Sequence, residues 1–109
     1  MVPYKFPNAA SHKIAVTGTA ANLLDLIETA AGATIDFPYD LSMAVITPED
    51  GSIRLSQNGI VPTAANGILV VDDERRVIQG ALVDVKLIST TGTVVCNVEI
   101  GWARGSSLK

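Results

Sequence analysis

The sequence predicts a mainly β domain, an antiparallel β-sandwich or jelly-roll-like barrel of about seven strands with one short α-helix near the N-terminus. Three observations predict it. With 109 residues, 48% of them apolar and 17% charged, the chain is long enough for one hydrophobic core and too apolar to stay disordered. A single stretch near the N-terminus spaces its apolar residues by three and four, as a helix does. Beyond it, short runs of alternating apolar and polar residues are separated by clusters of Gly, Pro, Asn and Asp, as strands and turns are. No internal repeat or low-complexity tract interrupts this pattern.

The elements follow in chain order. Residues 1–11 have no period and include Pro3 and Pro7, so they read as an extended arm. Tyr4 and Phe6 on that arm would be poorly placed in water, which makes them candidate contacts to a neighbouring subunit. The domain proper spans 12–102, and 103–109 form a polar tail. In "KIAVT", Ile14 and Val16 alternate with Lys13 and Ala15, a short strand. In "TAANLLDLIETAAG", Ala20, Leu23, Leu24, Ile27, Ala30 and Ala31 make one apolar stripe, with Asn22, Asp25 and Glu28 opposite. This predicts a helix over 19–31 with Thr19 as N-cap and Gly32 as its stop, plugging one open end or edge of the sheets.

Next, "SMAVIT" and "SIRLS" read as strands joined in a tight hairpin at Asp50-Gly51. "GILVV" and "RRVIQG" flank the charged run Asp72 to Arg76, which reads as a solvated hairpin tip. In the last two strands, Val83, Val85 and Leu87, and then Val94, Cys96, Val98, Ile100 and Trp102, form single apolar faces separated by the turn "STTG".

Composition excludes several functions. A net charge of −3 and a pI near 4.9 do not suit a nucleic-acid binder, which needs a basic stripe. The apolar runs fall short of the ~20 residues of a membrane span, and the N-terminus lacks the apolar core of a secretory signal. The expectation is a soluble protein made in a cytosol, with no nucleic-acid or membrane partner. His12 is the one histidine, so the multi-histidine metal site of a cupin or an oxygenase cannot be built within the chain. Cys96, the one cysteine, sits on an apolar face and reads as a buried, inert thiol and not as half of a Cys-His nucleophile.

The other reactive groups read the same way. Ser and Thr hydroxyls cluster in turns, where they bond local backbone. Asp36 and Asp40, Glu49-Asp50, and Asp72-Asp73-Glu74 read as solvated turns; a glycosidase would need two carboxylates across a cleft, and a calcium loop would need regularly spaced oxygen ligands. No glycine-rich phosphate loop is present. The expectation is a non-enzyme with no cofactor, no metal and no catalytic residues.

The most unusual segment is "SQNGIVPTAANGILV", Ser56 to Val70. Its two Asn-Gly pairs turn the chain, Pro62 stiffens the crossing, and Thr63, Ala64 and Ala65 keep the surface low. Two readings stay open: the loop packs on the rim of its own domain, or it meets a neighbouring subunit. On the second, Asn58, Pro62, Thr63, Ala64 and Ala65 are candidate contacts.

Here the sequence resembles a known group. "TPEDGSIRLSQNGIVPTAANGILV" followed by "GALVDVKLISTTGTVVCNVEI" is similar to the small β-sandwich structural proteins of tailed-bacteriophage virions. The matching positions are Arg54, Asn58, Gly59, Pro62, Thr63, Ala64, Gly67, Leu87, Ile88, Gly92 and Val98. "IAVTGTAANLLDLIETAAG" resembles their opening strand and helix, so the likeness runs from about residue 12 to 100. The charged run "DDERR" and the tail "GWARGSSLK" depart from it. The resemblance implies a non-catalytic virion protein made in the host cytoplasm: a capsid decoration or cement protein, or a head-to-tail or tail fitting. Its partners would be other copies of itself and other virion proteins, the major capsid protein among them, with affinity gained through many copies. An alternative of another class is a carbohydrate- or receptor-binding sandwich module.

Overall fold

The computed structural model describes residues 12–37 and 41–101; the arm with Tyr4 and Phe6, the end of the last apolar face at Trp102, and the tail lie outside them. Among the described residues the chain forms β1 (His12–Val16), β2 (Ala21–Asn22), α1 (Leu23–Ala31), β3 (Met43–Pro48), β4 (Ile53–Ser56), β5 (Ile68–Val70), β6 (Arg76–Gln79), a 3-10 turn (Leu82–Asp84), β7 (Lys86–Ser89) and β8 (Val94–Gly101). These eight strands form two antiparallel sheets of four, ordered β1-β8-β3-β6 and β2-β7-β4-β5. The additional strand relative to the sequence expectation is β2, whose two residues are too few to show a period.

Four of the pairings are nested. β1 lies against β8, β2 against β7, β3 against β6 and β4 against β5. The chain is therefore one long hairpin whose tip is the segment between β4 and β5, and successive rungs of that hairpin fall in opposite sheets. Three turns carry the chain from one sheet to the other: Glu49 to Ser52 and Val71 to Arg75, both of which read as hairpins from sequence, and Thr90 to Thr93. The first is moored to β8, where the Glu49 N–H donates to the Val95 carbonyl at 2.8 Å and Asp50 Oδ1 accepts from the Val95 N–H at 2.8 Å. In the second, the Asp73 N–H donates to the Pro48 carbonyl at 2.8 Å, with Asp73 at a positive φ of 68°. In the third, the buried Ser89 hydroxyl donates to the Gly92 carbonyl.

Both sheets feed one core. Ile14 and Val16, Val94, Cys96 and Val98, and Ile46 from the first sheet form a single buried cluster with Ile53, Leu55, Val70 and Leu87 from the second. The alternating face of β8 is buried as its sequence predicts, from Val94 to Ile100. The face assigned to Val83, Val85 and Leu87 is not: Val83 is 62% exposed. Residues 82–84 wind into a 3-10 turn with three residues per repeat, so Leu82 and Val85 share the buried side and Val83 points away.

The helix begins at Leu23, later than Thr19. Asn22 is the N-cap: its side-chain oxygen accepts from the Leu24 N–H at 3.1 Å, and its Nδ2 donates to the Val83 carbonyl at 2.7 Å. Thr19 stays in the preceding turn, its N–H donating to Thr17 Oγ1 at 3.2 Å. Gly32 ends the helix at φ 71°, donating to the Glu28 carbonyl at 2.9 Å. Leu23 and Ile27 are fully buried, Leu24 and Leu26 half-buried, and Ala30 and Ala31 exposed, so the buried stripe is narrower than the spacing suggests. Each of the two buried side chains contributes roughly 1.5–3 kcal/mol. The stripe packs mainly on β1, closing that side of the molecule. Among the described residues no helix is long and apolar enough to cross a membrane.

Candidate functional site

The hairpin tip, residues 57–67, is the segment that the sequence singles out, and it is built largely from its own backbone. Where β4 ends, the Ser56 hydroxyl donates to the Ile60 carbonyl and Asn58 Oδ1 accepts from the Ile60 N–H at 3.4 Å. Gly59 takes φ 81°, and its N–H donates to the Asp84 carbonyl at 3.1 Å. A miniature hairpin follows: the Thr63 N–H donates to the Asn66 carbonyl at 2.9 Å, the Asn66 N–H returns to the Thr63 carbonyl at 3.2 Å, and Thr63 Oγ1 accepts from the Ala65 and Asn66 N–H groups at 3.2 and 2.9 Å.

Arg54 holds this structure to the sheet. It lies on the outward phase of β4, between the inward Ile53 and Leu55. Its Nε donates to the Ala64 carbonyl at 3.0 Å and its Nη1 to the Gly67 carbonyl at 2.9 Å. One guanidinium thus satisfies two loop carbonyls with a rigid fork of donors. Sequence reasoning did not make Arg54 a site residue. The available signal was its outward phase directly before a segment rich in turns, whose carbonyls need donors.

The candidate contacts divide. Asn58, Thr63, Ala64 and Ala65 are exposed, whereas Pro62 is buried beside Gly67 and belongs to the loop's own packing. Tyr4 and Phe6 lie outside the described residues. Two residues that the sequence reading passed over are more prominent: Ile60 is 64% exposed and Val61 61%. The Gly59–Asp84 hydrogen bond ties the residue just before them to the end of the 3-10 turn that carries exposed Val83. The tip therefore offers an apolar knob on a braced base, with small side chains next to it. Such a surface can seat against another protein.

Elsewhere, three reactive side chains are buried or paired. Cys96 is fully buried, and burial, followed by the negative charges of Asp50 and Glu49, pushes its thiol from 9.0 up to about 12. A thiol so rarely ionised is a poor nucleophile. β-Sheet register places Ile14, not His12, opposite Cys96. Glu49 takes Lys13 Nζ at 2.7 Å, and Glu74 takes Arg76 at 2.7 Å. Among the described residues no group of three or more His, Cys, Asp or Glu is placed to hold a metal ion.

Comparison with family models, curated proteins and solved structures found no match for this chain. The functional reading therefore rests on the topology, the loop and the sequence resemblance.

Proposed function

We propose that this chain is a non-catalytic structural protein of a tailed-phage virion, a capsid decoration or cement protein that stabilises the particle in many copies. The observation that supports it best is the nesting of the strand pairs: a long hairpin rolled so that its rungs alternate between two sheets is a jelly-roll sandwich, an architecture recurrent in viral capsid proteins. The same architecture serves lectins and cupins, so the fold alone does not name the function. The phage reading adds the ordered Pro-Thr-Ala and glycine-turn motifs, and the braced apolar tip suits contact with a neighbouring copy or the major capsid protein. Its place would be the virion, after synthesis in the host cytoplasm.

The carbohydrate-binding alternative is less well supported. Sugar platforms use exposed aromatic rings, and Phe37, the single aromatic among the described residues, is half-buried against the core.

Immunogold labelling of purified particles of the phage that carries this gene tests the proposal. Many labels spread over each head are the expected result. Labels confined to the neck or tail would move the protein to a head-to-tail or tail fitting. Its absence from purified particles would overturn the virion reading.

A further inference from the structure

β5 is an edge strand of one sheet and β6 an edge strand of the other. An edge strand presents unpaired backbone groups, which recruit strands from other chains unless something occupies them. The phase of β5 follows from its neighbours. The Thr90 N–H donates to the Ser52 carbonyl at 3.1 Å, and successive residues of an antiparallel strand bond to opposite sides. Even-numbered residues of β4 therefore bond toward β7, and Ile53 and Leu55 bond toward β5. Register assigns Ile68 and Val70 to those two residues, so the backbone groups of Leu69 and Val71 point off the sheet. The run Ile68 to Val71 is wholly apolar, with Leu69 41% and Val71 45% exposed, a composition suited to strand addition.

That edge is not bare. Glu74 Oε1 accepts from the Val71 N–H at 3.1 Å, the Glu74 N–H donates to the Val71 carbonyl at 3.0 Å, and Arg76 Nη2 reaches the Leu69 carbonyl at 3.5 Å. Glu74 and Arg76 are themselves paired at 2.7 Å. Arg76 stands opposite core-facing Ile46, so it is a charged residue turned inward from an edge strand, with its Nε buried and unpartnered. Inward charges on edge strands are one of the ways natural sheets refuse further strands. On β6 the Gln79 carbonyl is likewise taken, by Gln57 Nε2 at 3.2 Å.

We infer that Glu74 and Arg76 form a latch that denies the β5 edge to a strand of a second copy of this chain. The second copy is the occupant because every copy carries the same edge, and two β5 strands about a twofold axis pair antiparallel with Leu69 opposite Leu69. The inference does not depend on the virion reading.

The test is sedimentation velocity over a concentration series with the full chain, comparing wild type, the double variant Glu74→Ala/Arg76→Ser, and that double variant with Leu69→Pro added. Without the latch, the weight-average mass should rise with concentration to about twice the wild-type value or more, as strand pairing builds dimers and larger species. Leu69→Pro removes an N–H from the free edge and none from the β4 pairing, so it should restore wild-type behaviour. Circular dichroism establishes that each variant is folded. Glu74→Ala alone, which frees the Val71 N–H and leaves Arg76 without its ion-pair partner, should shift the mass in the same direction and stands in if the double variant does not fold. An unchanged mass in the folded latch variants overturns the inference. So does association that Leu69→Pro fails to reverse, because the new contact would then lie away from β5.

Discussion

Replacing Gly67 by alanine isolates what the hairpin tip demands of its backbone. Gly67 has φ 125°, and an added Cβ would lie 3.1 Å from the Leu55 carbonyl oxygen, 3.2 Å from Pro62 Cβ and 3.3 Å from Arg54 Cβ. None of these neighbours gives way easily. Leu55 is paired on both sides, to Ile68 and Leu87, and Pro62 is buried. Gly59 is the matched control, because it also has a positive φ, 81°, but a Cβ there meets nothing within 4 Å. Gly59→Ala should therefore cost only the backbone strain, about 1–3 kcal/mol. Gly67→Ala adds overpacking of about 1–3 kcal/mol to a similar strain, for a total of about 2–6 kcal/mol. Urea unfolding followed by circular dichroism reads the difference; with a slope of about 1–3 kcal/mol/M, the Gly67 variant should lose clearly more midpoint than the Gly59 variant. Equal losses at the two positions, or a Gly67→Ala cost under about 0.5 kcal/mol, would refute the close approach of the loop to β4.

Three other perturbations probe the same structure. Leu23→Ala or Ile27→Ala should cost about 2–5 kcal/mol in the same unfolding assay, and half-buried Leu24→Ala distinctly less; the reverse ranking would mean that the helix presents a different face to β1. Arg54→Met keeps the aliphatic stem but strands the Ala64 and Gly67 carbonyls, so it should cost about 1–2 kcal/mol and speed amide exchange at Ala65 and Asn66, whereas unchanged exchange would show that the tip holds itself. Because the folded state raises the Cys96 pKa from 9.0 to about 12, it favours the protonated thiol. That contribution is fully present below pH 9 and is lost as pH climbs toward 12, so Cys96→Ala should flatten the alkaline fall of the melting temperature, and a chromogenic disulfide should label wild-type Cys96 at pH 8 only after unfolding.

Side-chain phase was legible in the sequence; strand partnership was not. The run from Val94 to Ile100 could hardly be anything except a half-buried strand, and it is one. The turns at Asp50-Gly51 and at Asp72 to Arg76 have the composition of hairpins, yet each carries the chain from one sheet to the other. Alternation states which face of a strand is buried but carries no information on which strand lies beside it, and a turn of four or five residues serves either route. Val83 and Val85 matched a two-residue period over too short a span to exclude a three-residue one. Thr19 and Asn22 are both good caps; Asn22 prevails because it also reaches the Val83 carbonyl from a distant part of the chain. Within the candidate site, the turn chemistry of residues 57–67 could be read directly, whereas the grip of Arg54 could not, because its partners are carbonyls and backbone acceptors leave no mark in a side-chain pattern.

The position of β8 between β1 and β3 also orders events during synthesis. β4 and β5 can pair as soon as the hairpin tip emerges, but β1 finds its sheet neighbour only when Val94 to Val98 have been made. At ~5–20 residues per second, the interval between those strands lasts several seconds. For that time Ile14 and Val16 belong to a nascent strand with no partner, and the last rung to close is the one whose first half was translated earliest. A ribosome-bound series ending at successive positions should accordingly gain protease resistance in one step once β8 has cleared the exit tunnel.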